Sequence, residues 1–122
     1  MTKQELEQYG KLNEKFVSDC ERVCNELSRY DGSYNFLDSF ILEDDEVYGH
    51  GHEWWSYGGH EEHNEYFDAV LLTYSDEELR EYVDKRIEER NKREQEEKDI
   101  KEARERELDL KKYNELKEKL GL

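Results

Sequence analysis

The sequence predicts an α+β protein: an N-terminal helix, a three-stranded antiparallel β-meander and a long, charged C-terminal helix. Three observations carry this. Apolar residues recur at spacings of three and four from Leu6 to Tyr30. The segment from Phe36 to Thr73 is rich in aromatic and β-branched residues and is broken by Asp44-Asp45 and Gly58-Gly59. After Ser75 the chain has no Pro and is dominated by Glu, Lys and Arg.

The first helix opens on a capping box, Thr2 with Glu5. Its stripe is Leu6, Tyr9, Leu12, Phe16, Val17, Cys20, Val23, Cys24, Leu27 and Tyr30, the pattern of an amphipathic helix packed along one face. Gly10 weakens this helix by about 1 kcal/mol relative to Ala without ending it. Asp31-Gly32-Ser33 ends it. Cys20 and Cys24 lie four apart on one face with parallel side chains, which disfavours a disulfide and reads as two reduced core thiols.

The two turn pairs imply strands near 36–43, 46–57 and 60–72. A two-residue turn at Asp44-Asp45 sets Leu42 opposite Val47 and Phe40 opposite Gly49. A two-residue turn at Gly58-Gly59 sets Tyr57 opposite His60, Trp55 opposite Glu62 and Gly51 opposite Tyr66. Side chains alternate between faces, so Phe40, Leu42, Val47, Trp55, Tyr57, Tyr66 and Val70 are expected to pack on the first helix. Gly49 and Gly51 mark a close approach by another group. Ile41, Tyr48, His50, His52, Trp54, Glu61, His63, Glu65 and Phe67 fall on the other face, which this small sheet leaves open or offers to a partner.

Ser75 and Glu78 form a second capping box, with Asp76 and Glu77 at the positive end of the helix dipole. Leu79, Tyr82, Val83 and Ile87 start an apolar stripe. From Glu88 to Asp99 there is no apolar residue, and pairs such as Glu88–Lys92 and Glu94–Lys98 support the helix by tenths of a kcal/mol each. Apolar residues return at Ile100, and Leu108, Leu110, Tyr113, Leu116 and Leu120 are expected to associate with a second copy or another helix. The organisation expected is residues 1–87 as the folded part and 88–122 as a solvated helical extension.

Charge bounds the function. The 122 residues hold 19 basic and 34 acidic side chains, for a net charge of −15. Between Tyr30 and Ser75 there are 11 acidic residues and no Lys or Arg. Such a field repels nucleic acid and anionic lipid and attracts basic proteins. The competing reading is that acidity serves solubility. No apolar run is long enough for a membrane span or a signal-peptide core, so a cytoplasmic protein is expected.

The chemistry-bearing residues are the histidines. His50, His52, His63 and Glu65 share a face in the register above, a set able to bind zinc or nickel. His60 falls on the opposite face, and no tight metal or other cofactor is expected. No nucleophile or oxyanion donor accompanies a His–Glu pair, and no phosphate loop or dinucleotide fingerprint is present, so the chain is not read as an enzyme. Asp44, Asp45 and Glu46 lack the spacing of an EF-hand.

The order of helix, meander with Trp54 to Glu61, and Ser75 to Leu79 opening a charged helix resembles small uncharacterised proteins of bacteriophages and prophages. In size and acidity alone the chain is similar to anti-CRISPR inhibitors that imitate DNA. These likenesses imply a phage-encoded inhibitor of a basic nucleic-acid-binding protein, including a CRISPR effector, acting in a bacterial host. In that reading Asp44, Asp45, Glu46, Glu53, Glu61, Glu62 and Glu65 stand in for phosphates, and Tyr48 and Trp54 anchor the partner. The alternatives are an assembly protein that oligomerises through the C-terminal helix, and a small histidine-based metal or ligand-sequestering protein.

Overall fold

The computed structural model describes residues 1–121, and it has the α+β architecture read from the sequence. Helix α1 spans Lys3–Leu27, strands β1, β2 and β3 span Leu37–Glu43, Glu46–Trp54 and His60–Asp68, and helix α2 spans Asp76–Lys119. Single 3-10 turns, Gly32–Phe36 and Ala69–Thr73, join the sheet to the helices. The sheet is an antiparallel meander in the order β1-β2-β3.

Both capping boxes form. Thr2 Oγ1 accepts from the Glu5 amide while Glu5 accepts from the Thr2 amide, and Ser75 and Glu78 repeat the exchange at the start of α2. Each satisfies two backbone donors that the helix itself cannot. Gly10 lies within α1 without breaking it.

The chain forms two units, Met1–Lys85 and a second from Arg86 onward. The core belongs to the first. Cys20, Val23, Cys24 and Leu27 of α1 are buried with Val47, Phe67, Leu71, Leu79 and Val83. Tyr34, in the first 3-10 turn, is buried too and donates its hydroxyl to the Tyr66 carbonyl. Arg22 donates to Asp76 and to the Tyr74 carbonyl, and Arg29 donates to Asp84, so two guanidiniums tie α1 to the first turns of α2. Cys20 and Cys24 are free. Burial pushes both thiols up to about 12, reinforced at Cys20 by Asp19 and Glu21 and at Cys24 by Cys20 and Glu21.

The stripe of α1 is buried only in its C-terminal half. Leu6, Tyr9 and Leu12 are exposed, because the elements that cover α1 reach it only from Phe16 onward. Periodicity shows which face is apolar, not how far a neighbour extends along it. The third strand also ends sooner than expected. The Asp68 carboxylate accepts from the Val70 amide and starts the 3-10 turn, which leaves Val70 half exposed.

The first hairpin has the expected register, with Leu42 opposite Val47 and Phe40 opposite Gly49. Asp44 takes the left-handed conformation of its turn, φ 53°, one that Asp adopts more readily than most residues. A β-bulge between Leu37 and Ser39 then brings Leu37 opposite Gly51. The close approach expected at the two glycines is made by Phe36 and by the first residue of β1, Leu37. A Cβ on Gly51 would lie 1.6 Å from the Phe36 carbonyl oxygen, and one on Gly49 would lie 2.7 Å from a Leu37 methyl.

The second hairpin does not have the expected register. Trp54, not Tyr57, faces His60, with His52 opposite Glu62 and Gly51 opposite His63. The turn takes five residues, Trp55 to Gly59. The Trp55 amide donates to the Gly59 carbonyl, the Gly58 amide donates to the Trp55 carbonyl, and Gly58 has φ 81°. Moving the register by an odd number of residues exchanges the two faces of β3. Phe67 therefore enters the core and Tyr66 leaves it, while Trp55 and Tyr57 lie exposed in the turn.

In the second unit α2 stays helical to Lys119, and every residue from Asn91 to Gly121 is exposed. Leu110, Tyr113, Leu116 and Leu120 fall within an arc of about 120° at 3.6 residues per turn, with Leu108 beyond its edge. Among the described residues no helix is long and apolar enough to cross a membrane.

Candidate functional site

Strands β2 and β3 carry most of the chemistry-bearing side chains, and the register sorts them onto two faces. The outer face carries Tyr48, His50, His52 and Trp54 of β2, opposite Tyr66, Asn64, Glu62 and His60 of β3. The inner face carries Val47, Gly49, Gly51 and Glu53, opposite Phe67, Glu65, His63 and Glu61.

The outer face is a strip of neighbouring rings. Tyr48 and Tyr66 have ring centres 5.1 Å apart. His50 meets His52 edge-on at 4.9 Å, and His52 meets Trp54 at 5.7 Å and His60 at 5.3 Å. Trp54 in turn lies 4.9 Å from His60 and keeps 71% of its surface exposed. Two polar side chains orient the rings. Asn64 Oδ1 accepts from the Tyr48 hydroxyl and from His50 Nδ1, at 2.5 and 2.6 Å. Glu62 Oε1 lies 3.6 Å from His52 Nε2.

The four-residue metal set expected from the sequence does not assemble. His63 and Glu65 are on the inner face, away from His50 and His52, because the five-residue turn moved them there. His60, expected on the opposite face, joins the histidines instead. Two other groups bring their ligand atoms within 4.8 Å of one another: His50, His52 and Glu62 outside, and Glu53, Glu61 and His63 inside.

The inner group has a structural role that the sequence did not disclose. His63 Nε2 donates to Glu53 at 3.1 Å, and Nδ1 shares a hydrogen bond with the Ser33 hydroxyl at 2.9 Å. The ring also stacks on Phe36 at 4.7 Å. His63 thus fastens the first 3-10 turn to β2 and β3. No local signal links Ser33 and Phe36 to a residue nearly thirty positions later.

The acidic residues expected to bind a partner are also divided. Asp44, Asp45 and Glu46 are at one end of the sheet, where Glu46 lies opposite both Glu43 and Asp68. Glu53, Glu61 and Glu62 are at the other, where Glu53 is seven residues along β2 from Glu46 and thus about 24 Å away. Glu65 is on the inner face, opposite Gly49. Glu62 shares the outer face with Trp54 at one end of the sheet, Glu46 falls on the same face next to Tyr48 at the other, and Glu61 is exposed beside Glu62. Like charges directly opposite each other destabilise a sheet, and here Glu43–Glu46, Glu46–Asp68 and Glu53–Glu61 all do so.

Separately, Tyr9, Leu12, Phe16, Phe40, Ile41 and Leu42 line an apolar groove of about 440 Å³ between α1 and β1. The sequence pattern places all of these but Ile41 on the faces expected to pack together; the incomplete cover on α1 makes them a surface instead.

No protein family matches this chain, and neither does any curated protein or solved structure.

Proposed function

We propose that the protein is a non-catalytic interaction protein whose outer sheet face binds a basic protein in the cytoplasm. The observation that carries this reading is Trp54, 71% exposed at the end of the sheet beside Glu61 and Glu62. It stands in a segment of 11 carboxylates with no Lys or Arg. An exposed indole among carboxylates suits arginine, which stacks on the ring while its guanidinium pairs with an acid. The cross-strand carboxylate pairs support the same reading. They cost stability in the free chain, and a basic surface laid against them would remove the repulsion.

In the more specific form of the proposal, the partner is a nucleic-acid-processing enzyme, such as a CRISPR effector, and the chain is a phage-encoded inhibitor. Carboxylates then occupy the positions of backbone phosphates in a basic channel. Glu61, Glu62 and Trp54 form the centre of the contact, and Asp44, Asp45 and Glu46 make a second, separate one. The charges of α2 matter less, since residues 76–122 hold 14 basic and 17 acidic side chains.

Capture from a bacterial lysate, with and without nuclease, followed by titration of the retained protein at two salt concentrations tests this. Affinity is expected to fall steeply with salt. Glu61→Lys with Glu62→Lys is expected to cost several kcal/mol of binding, roughly the 2–5 kcal/mol of a lost interfacial charge pair, and Glu94→Lys with Glu97→Lys far less. Equal effects from the two double variants, or affinity that ignores salt, would overturn the reading. It would then favour assembly through the C-terminal helix.

A further inference from the structure

We propose that His50, His52 and Glu62 form a binding site for one divalent ion of the zinc class on the outer face of the sheet. The inference rests on three features of the strands and is independent of any protein partner. First, His50 and His52 project from the same side of β2, and Glu62 projects beside them from the position directly opposite His52. Their ligand atoms lie within 4.8 Å of one another. Second, the bite is right. Bonds of 2.0–2.1 Å to a tetrahedral zinc set neighbouring ligand atoms about 3.3 Å apart, and His52 Nε2 and Glu62 Oε1 are 3.6 Å apart. Small rotations of partly exposed side chains close the remainder.

Third, the second coordination sphere is already in place. Ligating imidazoles characteristically give their other ring N–H to a fixed acceptor, which sets the tautomer and aims the ring. Asn64 Oδ1 takes that role for His50 Nδ1, and the Tyr48 hydroxyl holds Asn64 in turn. Nε2 of His50 is then the ring nitrogen offered to the ion. Two imidazoles and a carboxylate suit zinc, nickel or copper rather than calcium or magnesium. Three protein ligands leave a fourth position for water or for a group from another molecule, and the Trp54 and His60 rings lie against His52.

The inner group, Glu53, Glu61 and His63, is not the site. Both His63 nitrogens are engaged by Glu53 and Ser33, and its ring is stacked on Phe36.

The test is a Zn²⁺ titration of the full chain, purified without a histidine tag, in excess Ca²⁺ to occupy unspecific carboxylates. Co²⁺ absorption reports the ligand geometry in parallel. One equivalent of Zn²⁺ is expected to bind, with a four-coordinate Co²⁺ spectrum. Binding is expected to be lost in His52→Ala and in His50→Ala and retained in Glu61→Gln. Asn64→Ala is expected to weaken it by roughly tenfold to a hundredfold. Amide spectra of each variant establish that the fold is kept. Absence of stoichiometric binding, binding unchanged by His52→Ala, or binding lost with Glu61→Gln would overturn the proposal.

Discussion

Replacing Gly51 by Ala tests how the sheet is joined to the rest of the core. The added Cβ would lie 1.6 Å from the Phe36 carbonyl oxygen, 2.6 Å from its carbon and 2.9 Å from Leu37 Cα. A carbon–oxygen contact needs about 3.3 Å, so the two segments must separate by more than 1.5 Å, and every atom in the way is backbone. No rotamer change relieves the overlap. The Phe36–Leu37 segment has to leave β2, with loss of the bulged pairing at Gly51 and partial exposure of Leu37, which is 8% exposed. A buried Leu contributes about 1.5–3 kcal/mol, a ladder hydrogen bond about 1 kcal/mol and residual crowding about 1–3 kcal/mol. The expected cost is about 4 kcal/mol, against about 4–13 kcal/mol of total stability for a unit of this size.

Two other glycines calibrate the result. At Gly49 the obstacle is a Leu37 methyl at 2.7 Å, which can move, so Gly49→Ala is expected to cost about 1–2 kcal/mol. At Gly10 nothing lies within 4 Å, and Gly10→Ala is expected to stabilise α1 by about 0.5–1 kcal/mol. Urea titrations followed through the methyl resonances of Val23, Val47 and Val83, all fully buried, measure the three on one scale. A Gly51→Ala variant within 1 kcal/mol of the parent, or less damaged than Gly49→Ala, would refute the close approach of Phe36.

The core thiols are expected to resist alkylating reagents at neutral pH until the chain unfolds, because the thiolate is the reactive form. Their folded values are raised from 9.0 to about 12, so their contribution to stability is complete below pH 9 and is lost as pH rises toward 12. Urea midpoints should therefore fall more steeply over that window in the parent than in Cys20→Ala with Cys24→Ala, by up to ~1.4 kcal/mol per pH unit for each thiol. On the C-terminal helix, Leu116→Glu with Leu120→Glu is expected to abolish concentration-dependent association in sedimentation velocity while leaving the core methyl resonances unchanged. A parent chain that sediments as a monomer at every concentration would refute a role for that stripe in self-association.

Both helices and the first hairpin were legible because their signals are local and redundant. Two capping boxes, a 3.6-residue period and an Asp-Asp turn point to the same boundaries. The second hairpin was not legible. Gly58-Gly59 has the composition of a two-residue turn, yet Gly58 serves as the left-handed residue of a longer loop, and Gly59 lies under the Trp55 ring, where a Cβ would meet it at 2.9 Å. The alternation of β3 could not decide between registers, because each face of Glu61–Phe67 offers one large apolar residue, Tyr66 or Phe67, among polar ones. Since the side-chain period is two, that one choice set the whole candidate site. It decided which histidines meet, which carboxylates share a face with Trp54, and that His63 fastens Ser33 and Phe36 rather than holding a ligand.

The partner-binding and metal-binding readings meet at Glu62, and this couples them. A divalent ion held by His50, His52 and Glu62 would place two positive charges in the middle of the acidic surface and occupy a carboxylate that the partner's arginine would use. His52 to Trp54 is 5.7 Å between ring centres, well inside the ≈ 8 Å over which physiological salt screens exposed charges. Zinc is therefore expected to weaken binding of a basic partner. Because the coupling is reciprocal, the partner must weaken zinc by the same factor, and a 1–3 kcal/mol coupling is roughly 5–150-fold. Titrating the partner with and without saturating Zn²⁺, and Zn²⁺ with and without the partner, measures the factor twice. In His52→Ala it should fall to one without loss of partner affinity, since the carboxylates and Trp54 remain. An affinity that rises with zinc would mean instead that the open coordination position is filled by the partner, and that the ion recruits the partner where the charge argument has it repel.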